Sequence, residues 1–347
     1  MRNKVLFFDP VSPKGHVGLN SMIYGSFKGD KKIVVGTSLK GEFDHIDNIA
    51  YFRNKILKKN RFYHFCFCAL FSIYYLFFAK LNNYDSVVFL SYDKYTIFFI
   101  SFFSFILGIK VYAFEHNTFP VGQNFLSYFL NINSKNIIRL CFMSNMVDFF
   151  RNKNISSYYI HHPIVGLDLN VHDEFFDKSK SKGTGKDFFS IKMIDKYNFC
   201  GVIFCPSGSN NIDILKSKIL EYSDFLFIVK RPKTKISELE NISNVYLVDY
   251  FYDLGEWFKV VDFVYLPIDF EYRVSGFFYE SLKFSKKCII SNCGFSDYIK
   301  LNFPNYYLSS EDNWYNFKNA SFNFDIVNYN LDFSKLINKI LIKDIRK

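Results

Sequence analysis

Short apolar runs recur along the chain, separated by stretches whose hydrophobic positions repeat with helical period. Lys4–Phe8 reads as a strand, Lys14-Gly15-His16-Val17-Gly18 as a glycine-bearing turn, and Leu19–Phe27 as the helix after it. Lys32–Gly36 reads as a second strand. The pattern then predicts a helical stretch from about Asp47 to Leu81, strand Ser86–Leu90, helix Tyr95–Leu107 and strand Lys110–Phe114. Helix Phe125–Leu130, strand Ile137–Met143, helix Asn145–Asn152 and strand Ser157–His161 complete this half. Strands separated by helical patterns argue for a parallel, doubly wound sheet.

From Gly166 to about Asn198 the periodicity dissolves into a polar, charged, glycine-containing stretch, the best linker in the chain. Alternation then resumes: strand Cys200–Cys205, helix Ile212–Leu220, strands Phe225–Lys230 and Val245–Val248, helix Leu254–Val260, strand Phe263–Leu266, a short helix containing Glu280, and strand Cys288–Ser291. The tail Phe333–Ile342 has helical periodicity. The expected organisation is an N-terminal domain over 1–165, a linker over 166–198, a C-terminal domain over 199–330, and a final helix over 331–347 that packs back on the N-terminal domain. The expected fold class is α/β: two Rossmann-like doubly wound domains facing across a deep cleft, a common place for a substrate site.

Composition adds a surface argument. The net charge is +10, and 45 Phe and 25 Tyr make the chain unusually aromatic. A basic surface suits nucleic acid, anionic lipid or a phosphorylated substrate. No nucleic-acid-binding motif accompanies the charge, so nucleic acid is not an expected partner. Phe65–Leu81 and Tyr95–Ile109 are dense in Phe, Ile, Leu and Tyr, but each falls short of the roughly 20 residues that span a bilayer. Both are expected as buried helices between strands, with enough surplus aromatics for part of one face to touch a membrane. Met1–Asp9 is strand-like and lacks the charged segment and apolar core of a secretory signal. The expectation is a cytoplasmic protein, peripheral on the inner face of the membrane. The seven Cys show no paired metal spacing and are expected as buried free thiols.

Candidate chemistry gathers where strands end, because ligands of open parallel sheets lie at the carboxyl ends of the strands. Cys205-Pro-Ser-Gly-Ser-Asn-Asn211 links a strand to a helix; Ser207, Gly208 and Ser209 suit a pyrophosphate, or form a plain N-cap turn. There is no Walker spacing. Lys230-Arg231-Pro232 ends a strand with two cations suited to a diphosphate, or marks a surface turn. Pro267 closes strand Phe263–Leu266; the loop after it carries Glu271, Arg273, Ser275 and Gly276, and Glu280 lies in the helix beyond. In the first half, Glu115 and His116 follow strand Lys110–Phe114, and His16 sits with Gly15 in the first turn. Glu115 or His116 could serve as a general base, and His16 is a second candidate for the cleft, its turn able to approach sugar or pyrophosphate closely through Gly15 and Gly18; each could instead hold its turn in place. His161 and His162 beside Pro163 read as structural.

Asn244–Phe251, Leu254–Val260, Asp262–Pro267, Glu280-Ser-Leu and Lys287–Ser291 together resemble the C-terminal domain of GT-B glycosyltransferases close to the large retaining family four. Ser156–Pro163 resembles the last strand of the N-terminal domain leading to the hinge, and Tyr112–Thr118 the strand and loop that carry an acceptor-side histidine. The resemblance implies a glycosyltransferase with a nucleotide-diphosphate sugar donor and a glycan or polyprenyl-linked acceptor, in bacterial capsule, O-antigen or lipopolysaccharide synthesis. It implies Glu280 on the ribose hydroxyls, and Lys230, Arg231, Arg273, Ser275 and Gly276 around phosphate and sugar. It implies no metal and no cofactor, and no Asp-x-Asp stands at a suitable strand end. The family pairs two glutamates with seven residues between them. Here Glu271 and Glu280 have eight, and Tyr272 holds the expected first position, so retention of configuration is not implied. A nucleotide-sugar epimerase of the same fold and a non-catalytic two-domain binding protein are the alternatives.

Overall fold

The computed structural model describes residues 3–12, 14–53, 61–116, 124–165, 199–206, 211–232, 236–249, 251, 254–317 and 323–343. The chain divides into two compact units. The first comprises Met1–Val165, Tyr272–Val274 and Val327–Lys347; the second comprises Gly166–Glu271 and Ser275–Ile326. The stretch expected as a linker lies outside the described residues.

In the first unit the elements run β1 (Lys4–Asp9), α1 (Val17–Ser26), β2 (Asp30–Gly36), β3 (Ile49–Phe52), α2 (Arg61–Leu81), β4 (Ser86–Phe89), α3 (Ile97–Leu107), β5 (Lys110–Glu115), α4 (Phe125–Ile132), β6 (Ile137–Cys141), α5 (Ser144–Arg151) and β7 (Ser157–Tyr159). The strands form one parallel sheet in the order β3-β2-β1-β4-β5-β6-β7. The strands are near-continuous apolar runs because both faces of the sheet are covered. Val5 and Phe7 face a core shared with Ile23 and Tyr24 of α1, while Leu6 and Phe8 face a second core with Leu76 of α2 and Ile100 of α3. The stretch expected as helical from Asp47 instead begins with β3. Its Ile-Ala-Tyr-Phe sequence is rich in strand-forming residues, and Asn48 enters it with φ +59.

The second unit repeats the plan: β8 (Gly201–Cys205), α6 (Ile212–Glu221), β9 (Phe225–Lys230), β10 (Val245–Val248), α7 (Leu254–Val260), β11 (Phe263–Leu266), α8 (Gly276–Lys283), β12 (Lys287–Ile290), α9 (Gly294–Asn302) and β13 (Tyr307–Ser309). Its sheet is parallel in the order β10-β9-β8-β11-β12-β13. Tyr222 and Trp314 stack with their rings 4.5 Å apart and 5° from parallel, closing one face of the sheet. A last helix, α10 (Ile326–Lys343), returns to the first unit. Phe333, Ile337 and Leu341 enter the core beside α1. Asn330 clamps Ile164 by accepting from its N–H and donating to its carbonyl, both at 3.0 Å. His161 joins this clamp with Nε2 3.0 Å from the Tyr329 carbonyl.

Each sheet reverses strand order once, between β1 and β4 and between β8 and β11. Loops on the two sides of such a point run to opposite faces and leave a crevice at the carboxyl edge. Those two edges hold the candidate residues.

Candidate functional site

At the reversal point of the first sheet stands Asp9, the last residue of β1. Its carboxylate is fully buried, accepting from Ser12 N at 2.8 Å, from Asn20 Nδ2 at 2.7 Å and from the Ser91 hydroxyl after β4. Burial outweighs these bonds and raises its pKa to about 6. Asp9 thus ties the two loops of the crevice together. Sequence reasoning passed over it, although an acid closing an apolar strand before Pro10 was a visible signal.

Three histidines gather at the same edge of the sheet. His16 ends the turn Lys14–His16, His116 follows β5, and His162 follows β7. The His16 and His116 rings are 4.8 Å apart; Phe142 lies 5.3 Å from His116 and 4.9 Å from His162. His116 Nε2 donates to the Leu90 carbonyl at 2.8 Å, and His162 Nδ1 donates to the Pro163 carbonyl at 2.7 Å. Those bonds fix both tautomers, leaving Nδ1 of His116 and Nε2 of His162 as lone-pair acceptors. Burial, reinforced by neighbouring histidines, lowers both pKa values to about 3, so both rings are neutral at pH 7. His16 is only half-buried; its pKa is lowered by burial and then by the positive charge of Arg273. Its Nδ1 has no hydrogen-bond partner among the described residues. A ring held near pKa 3 is a weak proton acceptor at pH 7. His16 therefore has the best setting of the three for accepting a proton. Among the described residues no group of His, Cys, Asp and Glu has metal-binding geometry.

Glu115 does not join the histidines, contrary to its expected role. Successive strand residues face opposite sides, so Glu115 turns to the sheet face opposite His116. There it pairs with Arg139 of β6 at 2.6 Å, both side chains fully buried. Tyr92 Oη lies 2.7 and 2.8 Å from the two carboxylate oxygens and accepts from Arg139 at 2.9 Å. Ser134 takes up the far side of the guanidinium. This is a structural ion pair, and a charge inside the apolar run Ile137–Met143 was its sequence signature.

Arg273 is grouped with the first unit along with its neighbours. Tyr272 packs against Phe149 at 5.6 Å, and Val274 against the α1 side of the core. Gly15 is exposed in the first turn, with open space where a Cβ would stand. Gly18 is there for packing, since a Cβ would collide with Val165.

At the reversal point of the second sheet, Ser207, Gly208 and Ser209 lie outside the described residues. At the same edge, after β11, α8 begins. Ser275 is its N-cap residue, buried and in extended geometry, and its side chain makes no capping bond. Gly276 opens the helix with no described atom within 4 Å of a would-be Cβ. An uncapped helix start beside bare backbone suits an anion. Glu280, one turn on, is part-buried; burial raises its pKa, while Lys283, 3.3 Å away, draws it back. Lys230 ends β9 half-buried, and among the described residues no partner takes its ammonium. Arg231 is committed elsewhere, to Glu240 at 2.8 Å and Asp249 at 2.7 Å. Glu271 accepts from Gly294 N at 3.1 Å at the start of α9, and Gly294 must lack a Cβ because Glu271's carbonyl fills its place. The glutamate one residue out of register is thus a helix-terminal anion. The seven cysteines are free; Cys200 is exposed, contrary to the expectation of uniform burial.

The whole chain is similar in fold to solved nucleotide-sugar proteins. HepE of Anabaena, solved with UDP, matches 99% of this chain over 99% of its own at 14% identity, with a TM-score of 0.65; its complex with UDP-glucose gives 0.66 at 12% identity. A glycosyltransferase from Rickettsia africae matches 99% of this chain over 93% of its own at 13% identity and a TM-score of 0.58. UDP-GlcNAc 2-epimerase from Methanocaldococcus jannaschii matches 97% over 99% at 10% identity and 0.58. No protein-family model matches the sequence, and no curated protein matches it. The fold is GT-B, two parallel-sheet α/β units.

Proposed function

We propose that this chain is a GT-B glycosyltransferase that moves a sugar from a nucleotide-diphosphate donor to a glycan or lipid-linked acceptor in bacterial surface-polysaccharide synthesis. The observation that carries the reading is the start of α8, where uncapped backbone N–H groups, an open Gly276 and part-buried Glu280 stand together at a reversal point. In this reading the diphosphate meets the N-terminus of α8, with Lys230 as the available cation. Glu280 accepts hydrogen bonds from the ribose hydroxyls, and Ser275 and Gly276 offer close approach. Ser207, Gly208 and Ser209 remain candidates for the pyrophosphate on sequence grounds.

The first unit takes the acceptor. His16 receives the proton of the attacking hydroxyl, while neutral His116 accepts a hydrogen bond from sugar or acceptor. Arg273 offsets developing negative charge. The full-length likeness to HepE solved with UDP-glucose supports the donor class, and the likeness to a 2-epimerase makes epimerisation the second reading. In calorimetry with UDP and other nucleoside diphosphates, Glu280→Ala weakens nucleotide affinity about tenfold or more, the value of a lost charge-assisted bond pair, and leaves the unfolding midpoint in place. Unchanged affinity removes Glu280 from the site.

A further inference from the structure

The α2, α3 and α4 face of the first unit breaks the usual rule for surface helices, whose outer sides are polar. Helix α2 exposes Tyr63, Leu70, Tyr74, Phe77 and Leu81 along one stripe. Helix α3 exposes Phe99, Phe102, Phe105 and Ile106, and α4 exposes Phe125, Leu126 and Phe129. These are twelve of the eighteen large hydrophobic side chains exposed among the described residues. The three helices lie side by side. Phe65 meets Phe99 at 6.2 Å and Phe77 meets Phe103 at 6.3 Å. Asn124 at the start of α4 donates to Tyr95 at 3.0 Å, and Asn131 donates to the Lys94 carbonyl at 2.9 Å. The result is one continuous aromatic layer.

We propose that this layer is a docking surface for an anionic lipid bilayer, on which the first unit lies flat. Charge decides the occupant. None of the residues of α2, α3 and α4 is Asp or Glu. Cations stand at the helix ends instead. Lys80 closes α2, its ammonium 4.0 Å from where a Cβ on Gly108 would stand just beyond α3. Lys94 precedes α3, Lys110 follows it and Lys135 follows α4. The acids flanking the helices are engaged: Asp85 accepts from Lys4 N at 2.7 Å, and Asp93 accepts from Tyr95 N at 2.9 Å. An apolar aromatic face edged with cations complements acyl chains and anionic headgroups.

Helix α2 is long and apolar enough to cross a bilayer, but its inner side is spoken for. Tyr75 packs 4.6 Å from Phe8 of β1, and Leu76 and Ala79 are fully buried against the sheet. A helix held on a sheet along its length rests on the membrane rather than crossing it. The face is on the opposite side of the sheet from α1 and α10.

The test is sedimentation of the full chain with vesicles of phosphatidylcholine alone and with roughly 30% phosphatidylglycerol, an anionic lipid. The wild type sediments with the anionic vesicles and is released by salt. The triple variant Leu70→Gln, Phe105→Gln, Phe125→Gln, one outward side chain per helix, binds about tenfold or more weakly with an unchanged unfolding midpoint. Leu70→Gln alone gives a smaller loss in the same direction, and reports should the triple variant unfold. A wild type that stays in the supernatant, or a folded triple variant that binds as well as wild type, overturns the proposal. So does a wild-type dimer in light scattering that the triple variant converts to monomer, since a second copy would then own the face. Nucleotide affinity is unaffected in every arm, so failure here is separate from failure of the donor site.

Discussion

At the residue scale, burial separates side chains that are placed to act from those that hold the fold. Glu115 and His116 are adjacent in sequence and opposite in circumstance. His116 faces the crevice edge with a fixed tautomer, while Glu115 is sealed into an ion pair whose partners occupy its oxygens. Removing one member of such a buried pair strands the other charge, at a cost of roughly 3–5 kcal/mol. Glu115→Ala therefore loses stability on that scale in urea unfolding, and any loss of turnover follows from unfolding. A Glu115→Ala protein that is as stable as wild type but inactive would return Glu115 to the chemistry. Arg231 and Glu271 make the same point: each was a charged candidate after a strand, but local partners claim each one.

At the element scale, the open start of α8 is the feature most easily tested by itself. Gly276 has an unstrained backbone and free space around it, so Gly276→Ala keeps or slightly raises stability, by up to about 1 kcal/mol for Gly to Ala in a helix. If the donor's diphosphate approaches this backbone, the added methyl lowers nucleotide affinity while the unfolding midpoint holds. Full affinity in a folded Gly276→Ala protein would move the diphosphate elsewhere. Most elements were legible because strands covered on both faces are written as unbroken apolar runs, as in Val5–Phe8 and Val111–Phe114. The misses were short or marginal. β3 and β13 are three- or four-residue strands at sheet edges whose residues, Phe52 excepted, are only partly buried, so the pattern carries little of their pairing. Helix α9 begins at Gly294, where Ser296 accepts from the Cys293 N–H at 2.9 Å as half of a local capping box, but a cysteine cap is a faint signal and the other anchor, Glu271, lies far back in sequence. The aromatic excess of α2 and α3 was readable, but its division into an inner and an outer stripe needed the sheet beneath them.

At the scale of the whole molecule, the chain carries two sheets of the same handed plan, each with one reversal point. The linear order of the strand-end motifs disclosed that plan, and the GT-B fold confirms it over 99% of the chain. What the sequence did not disclose was which strand-end residues gather: the histidines come from loops about 100 and 46 residues apart, joined only by the order β1-β4-β5-β6-β7. The division of labour proposed for the two units, donor on the second and acceptor chemistry on the first, predicts a different outcome from that of an epimerase, which needs no acceptor. The most direct test follows UDP-, GDP-, CMP- and dTDP-sugars by NMR in the presence of the protein, with and without a polyprenyl-phosphate-linked sugar. The account predicts that one donor is consumed with release of its nucleoside phosphate, faster when the lipid-linked sugar is present, and with the configuration at C2 of the sugar unaltered. Accumulation of a C2 epimer that ignores the lipid-linked sugar would contradict it.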